Sequence, residues 1–124
     1  MSDFEGVNKV LKAYFDALYY CDEDKLAKVF HPKAIYVTAD ETPMLYRTMG
    51  EYFPIVVARE SGASRAETRH DIVDGIEFAG ENTAFSRVRC SIGQRHFTDF
   101  LTLVRSENRW QIMAKIFQIT EFNQ

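Results

Sequence analysis

The chain has 124 residues, enough for one ordinary hydrophobic core, and is expected to form one domain over 1–124. Apolar residues make up 46% and charged residues 27%, a globular balance that excludes a disordered chain. The net charge of −3 and a pI near 5.6 argue against a general nucleic-acid binder, which carries a basic face.

No run approaches the roughly 18 apolar residues of a membrane span. Met1-Ser2-Asp3-Phe4-Glu5 has neither the basic nor the apolar region of a signal peptide. The expectation is a cytoplasmic protein with no membrane and no nucleic-acid partner. Cys21 and Cys90 form no Cys-x-x-Cys pair and read as buried thiols.

Ser2-x-x-Glu5 forms a capping box. After it Phe4, Val7, Leu11, Tyr14 and Leu18 recur at spacings of three and four, the stripe of an amphipathic helix. Asp22 caps a short second helix with Leu26, Val29 and Phe30 as its buried face. His31-Pro32 stops it, because a residue before proline avoids the α region. Residues 34–38 read as a strand, 40–43 as a turn and 44–47 as a short return strand. Thr48-x-x-Glu51 opens a third helix through about Arg59, which Pro54 should kink or shorten. Four strands follow at 67–79, 83–92, 95–105 and 109–119, joined by short loops as an antiparallel meander. The fold class is therefore α+β, helices first and a curved antiparallel sheet after.

A three-residue loop at 106–108 would set Leu101 opposite Met113, Asp99 opposite Lys115 and Phe97 opposite Phe117, all on one face. The other face then carries Phe100, Thr102, Val104, Trp110, Ile112, Ala114 and Ile116. Both faces are substantially apolar, whereas a sheet with one wet face alternates more cleanly. One face should cover the helices, and the outer face should meet a second copy of the chain in a homodimer. Asp99 with Lys115 is then either a structural ion pair or the polar end of an apolar ligand pocket. A two-residue turn at Gly93-Gln94 sends Arg87 and Arg89 outward and buries Ala84, Val88 and Cys90. A three-residue turn would bring Arg89 opposite Asp99, because one residue of register flips every side chain. The two-residue register is preferred.

The order of elements resembles the nuclear transport factor 2-like, or SnoaL-like, superfamily. Residues 14–18 with Cys21-Asp22, the run 28–34, and the strands 97–103 and 109–117 carry the resemblance, which covers nearly the whole chain. It looks closest to the "putative lumazine-binding" branch. The resemblance implies a cone-shaped α+β barrel: three N-terminal helices packed in the concave face of a strongly curved sheet, with a cavity and often a dimer. Superfamily members include isomerases, dehydratases, cyclases, epoxide hydrolases and pure binding proteins. By comparison with the ketosteroid isomerases, the oxyanion-holding tyrosine falls on Tyr14 and the oxyanion-holding aspartate on Asp99. Their pocket positions on the last strand fall on Met113, Lys115 and Phe117. Their general-base aspartate falls on Thr38, which cannot take a carbon-bound proton. A lysine at 115 would also keep Asp99 a carboxylate, so that activity is not expected.

The expected site residues are Asp99, Lys115, Tyr14 and His31 as chemical groups, with Tyr36, Thr38, Phe97, Leu101, Met113 and Phe117 lining a pocket. Tyr14 reads equally as a core tyrosine. His31 suits an acid or base, or a cap for last-turn carbonyls. His70 and Asp71, adjacent in a regular strand, would point apart. No metal-ligand spacing and no phosphate loop or nucleophile motif is present, so no metal or cofactor is expected. Three functions remain. The first is a small-molecule-binding protein, and the second a cofactor-free lyase or isomerase using Asp99 and Lys115. The third is a dimeric interaction module with a vestigial pocket.

Overall fold

The computed structural model describes residues 3–121. Three helices come first: α1 (Phe4–Tyr20), α2 (Glu23–Val29) and, after two strands, α3 (Met49–Val57). The strands are β1 (Phe30–Thr38), β2 (Leu45–Thr48), β3 (Ile72–Ala79), β4 (Thr83–Ile92), β5 (Arg95–Ser106) and β6 (Arg109–Glu121). They form one open sheet in the order β2-β1-β6-β5-β4-β3. Every neighbouring pair is antiparallel except β1 with β6, which run parallel.

Local chemistry sets the helix ends. Ser2, the expected first cap, lies outside the described residues; Asp3 is the N-cap and accepts from Gly6 N at 3.0 Å. Its other oxygen accepts from Trp110 Nε1 at 3.0 Å, which ties α1 to β6. Asp22 caps α2 as expected, accepting from Lys25 N at 3.1 Å. The chain turns extended at Phe30, directly before His31-Pro32, so helix passes into strand without a loop. Thr48 and Glu51 form the full capping box of α3. The helix runs through Pro54 and ends at Val57, two residues before the expected Arg59.

Strand β3 begins five residues later than expected, at Ile72. Other contacts hold the missing part. Tyr19 Oη donates to Glu67 O at 2.8 Å, Arg65 grips the Glu67 carboxylate at 2.7 Å, and that carboxylate accepts from Gly93 N. Residues 67–71 thus roof the space between α1 and the β4–β5 turn instead of pairing along the sheet edge.

The β4–β5 turn has the two-residue form, with Ile92 opposite Arg95 and Val88 opposite Asp99. Arg87 and Arg89 therefore face outward, where both meet Asp74, Arg89 through two bonds of 2.8 and 2.9 Å. The β5–β6 turn corrects the expectation. It has two residues, Glu107 and Asn108, both at positive φ (54° and 62°), with Ser106 opposite Arg109. The register then shifts at a bulge, where Leu103 faces Ile112 and Thr102 faces Ala114, leaving Met113 as the extra residue. Below the bulge Asp99 lies opposite Phe117, and Leu101 opposite Lys115. Above it Trp110 and Ile112 are buried in the core, not on the outer face where a three-residue loop would put them.

The inner sheet face and the three helices enclose a core that includes Leu11, Tyr14, Leu26, Phe30, Tyr52, Val88, Leu101 and Leu103. The outer face leaves Phe85, Phe100 and Ile116 exposed. No helix of the described residues is long and apolar enough to cross a membrane.

Glu107 occupies a left-handed position that costs a non-glycine L-residue roughly 1–2 kcal/mol, a penalty asparagine largely escapes. Glu107→Asn is expected to stabilise the protein by about 1 kcal/mol in urea denaturation. An unchanged or lowered midpoint would contradict the turn geometry.

Candidate functional site

Three elements converge on one buried group of polar side chains. Helix α1 supplies Tyr14 from its apolar stripe, α3 supplies Tyr52, and the central strands β5 and β6 supply Asp99 and Lys115. Tyr14, Tyr52 and Asp99 are wholly buried, and Lys115 is 4% exposed. Tyr14 Oη donates to Asp99 Oδ2 at 2.6 Å. Asp99 Oδ1 is buried with no hydrogen-bond partner among the described residues. Lys115 Nζ donates to Tyr52 Oη at 3.4 Å.

Lys115 does not sit in ion-pair contact with Asp99; aromatic rings surround it. Nζ lies 5.2 Å from the ring centres of Tyr14 and Phe117, 5.3 Å from Tyr36, 5.5 Å from Tyr52 and 5.9 Å from Phe97. Each ring face attracts the ammonium, and the attraction strengthens when water is excluded. The rings also hold each other: Tyr36 stacks on Tyr52 at 4.2 Å, and Phe117 packs 4.6 Å from Tyr36.

The electrostatics follow from this packing. Burial is the largest influence and works against the Lys115 ammonium, but Asp99 together with Tyr52, Tyr36 and Cys90 outweighs it and holds the lysine pKa above its ordinary 10.5. The stability this ion gives is complete below pH 10.5 and is lost as pH rises through the folded value. Burial, then the Asp99 charge, pushes the Tyr14 phenol well above 10, so at neutral pH it is a donor and not a base. Burial also pushes the Cys90 thiol up to about 12, which leaves it unreactive.

The expected residues are thus partly brought together. Asp99, Lys115, Tyr36, Phe97 and Phe117 share the inner sheet face, Tyr14 reaches Asp99 from α1, and Leu101 is buried opposite Lys115. Met113 is the half-buried bulge residue and is not among the residues around the Lys115 cavity. Thr38 is buried, but its Oγ1 accepts from Asp40 N at 3.1 Å, a turn contact. His31 stands apart: its Nδ1 accepts from Lys33 N at 3.0 Å, and it lines a surface hollow with Glu107 and Arg109. His70 is exposed, and Asp71 pairs with Arg69 at 2.8 Å. Among the described residues no cluster of three metal-binding side chains exists.

Two residues escaped the sequence reading. Tyr52 lies one turn after Met49 and one before Val56, the buried stripe that the Thr48 capping box sets in register. That signal was available. Arg59 lies two residues past α3 and carries no pattern of its own. It lines a cavity of about 10 Å³ with Leu18, Tyr36, Cys90, Ile92, Phe97 and Lys115, room for a single water. It also lines an adjoining cleft of about 30 Å³, shared with Tyr19, Cys21 and the 67–71 roof.

Tyr14→Phe removes the 2.6 Å hydrogen bond to Asp99 and should cost about 1.5–3 kcal/mol, the worth of a hydrogen bond to a charged group. Asp99→Ala should cost about 3–5 kcal/mol, since it strands a buried ammonium. Urea denaturation measures both. A loss under about 0.5 kcal/mol for Tyr14→Phe would mean that water already satisfies the carboxylate.

Residues 2–118 match the family described as "Putative lumazine-binding". No curated protein matches the chain. Among solved structures, an NTF2-like protein of unknown function from Shewanella baltica superposes with a TM-score of 0.85 at 18% identity, over 97% of this chain and 95% of that one. One from Silicibacter pomeroyi gives 0.82 at 22% identity, over 94% of each chain. A ketosteroid isomerase-like protein from Erwinia carotovora gives 0.75 at 10% identity, over 97% and 98%. At these identities the structures share the fold and nothing finer. The family match spans nearly the whole length, and the chain belongs to the "Putative lumazine-binding" family of the nuclear transport factor 2-like fold.

Proposed function

We propose that the protein binds a small molecule in the concave face of its sheet, with the polar end of the ligand against Asp99 and Lys115. One observation carries this reading: a wholly buried carboxylate oxygen with no partner among the described residues, near an ammonium whose hydrogen bond there is a long one to Tyr52. Buried polar groups are nearly always satisfied, and an orphan of this kind is completed by a water or a ligand. Apolar walls with a few convergent polar groups are the usual make-up of a ligand site. The family description points to the same class of function.

A catalytic role finds less support. With Tyr14 a firm donor and Thr38 occupied in a turn, no neutral-pH base stands beside Asp99. Binding is therefore the preferred reading over lyase or isomerase chemistry. The free thiols of Cys21 and Cys90 suit a reducing cytoplasm.

A second copy of the chain is the proposed partner for the outer sheet face. Phe85 and Phe100 meet there edge to face at 5.4 Å, and Phe100 and Ile116 are each about half exposed. Apolar patches of this kind mark interfaces. Light scattering should give twice the 14.4 kDa chain mass for the native protein and the single mass for Phe100→Arg. A native monomer at high concentration would remove the dimer.

The binding reading is tested by native mass spectrometry of the purified protein. A discrete added mass is expected, lost in Lys115→Met with Asp99→Asn, a pair that leaves no buried charge unbalanced. If crystals instead show the Lys115 region solidly packed, and no mass is retained, the reading fails.

A further inference from the structure

Residues 64–71 have little apolar anchorage. The run Ser64-Arg65-Ala66-Glu67-Thr68-Arg69-His70-Asp71 has no large apolar side chain, and all of it except Glu67 is exposed. It also stands off the sheet. Strand β3 pairs with β4 from Ile72 onward, opposite Arg89, so residues 90–92 at the end of β4 pair with β5 and not with β3.

Side chains tie the run to its surroundings. Tyr19 Oη donates to Glu67 O at 2.8 Å, and the Glu67 carboxylate accepts from Gly93 N. Arg69 reaches Asp16 on α1 at 2.8 Å, with its guanidinium 4.7 Å from the ring centre of Tyr19. Water reaches both members of that ion pair, which weakens it. The pairs Arg65–Glu67 and Arg69–Asp71 lie inside the run and move with it. Ala66 is held at φ 50°, a left-handed position that costs an alanine and is relieved when the run lifts. A segment held by a few polar contacts, with no apolar burial of its own, opens at a lower free energy than the core.

The run covers the cleft of about 30 Å³, which Phe15, Leu18, Cys90 and Ile92 also line. Leu18, Cys90 and Ile92 line the cavity of about 10 Å³ at Lys115 as well. The two spaces share walls, so lifting the run exposes to solvent the side of the core nearest that cavity.

We propose that residues 64–71 are a lid, latched to α1 by Arg69 and to the β4–β5 turn by Glu67, which opens while the sheet and helices stay folded. The inference goes beyond the binding reading, because it concerns access to the core and holds for any occupant of it. Cys90 reports the motion: it is 6% exposed and lines both spaces.

Alkylation of Cys90 by iodoacetamide, followed by intact mass in the full-length Cys21→Ser protein at mildly alkaline pH, measures the opening, since only an exposed thiolate reacts. Urea below the unfolding transition separates local from global opening, because its effect scales with the surface exposed. Labelling by way of the lid hardly changes with urea. Arg69→Gln is expected to raise that rate about tenfold, through loss of one ion pair and one cation–π contact. Arg69→Lys should recover part of the change, and Asp16→Asn should raise the rate in the same sense. Labelling that climbs with urea as steeply as global unfolding overturns the lid. A urea-independent rate that Arg69→Gln and Asp16→Asn both leave unchanged overturns it too, as does a Cys90 that stays unlabelled throughout the range below the transition.

Discussion

A buried ammonium at the centre of the sheet is the constraint that organises this protein. Lys115 sits on β6, flanked by β1 and β5, and no water reaches it in quantity. Removing an ion from water costs several kcal/mol even after relaxation, and the fold must return that elsewhere. It does so through long-range attraction to Asp99 and through five aromatic rings drawn from α1, β1, α3, β5 and β6. Those rings are also core side chains. The same contacts that hold the charge therefore hold the helices to the sheet.

The arrangement explains why Tyr14 bonds to Asp99 and not to Lys115. A phenol is a donor to a carboxylate, and the pair at 2.6 Å leaves one carboxylate oxygen open. Tyr52 offers its oxygen to the ammonium from the other side. Each charge is thus bonded to a tyrosine of a helix, Asp99 to Tyr14 and Lys115 to Tyr52. What remains is a polar spot with one spare acceptor and spare donors, set in an apolar wall.

Much of this was legible in the residues. The helix stripes, the two capping motifs at Asp22 and Thr48, and the period-two alternation of 83–92 and 95–105 foretold the elements that form. The common face of Asp99, Lys115, Phe97 and Phe117 was legible too, although the counting behind it assumed the wrong loop. A two-residue turn shifts parity by one, and the bulge at Met113 shifts it by one again. The two shifts restore the face below the bulge and leave Met113, Trp110 and Ile112 misplaced above it. Bulges carry little sequence signature, because the backbone and not a residue type defines them. The early part of β3 failed for a different reason: Glu67 and Tyr19 bind across the fold, and alternation along the chain is silent about such contacts. Arg59 was invisible because a lone arginine after a helix acquires meaning only from the cavities around it.

The strand order has a temporal side. Strand β6, the last of the six to be made, occupies a central place between β1 and β5, parallel to β1. As the chain leaves the ribosome, the α1–β2 portion has no sheet to join until residues 109–121 emerge. Such non-local pairing is slow to form, since a long loop must close before any contact rewards it. During that interval Tyr14, Phe30, Tyr36 and Tyr52 are exposed apolar rings, the surface on which nascent chains are held by chaperones. The residue that finally gathers them, Lys115, arrives within that same last strand.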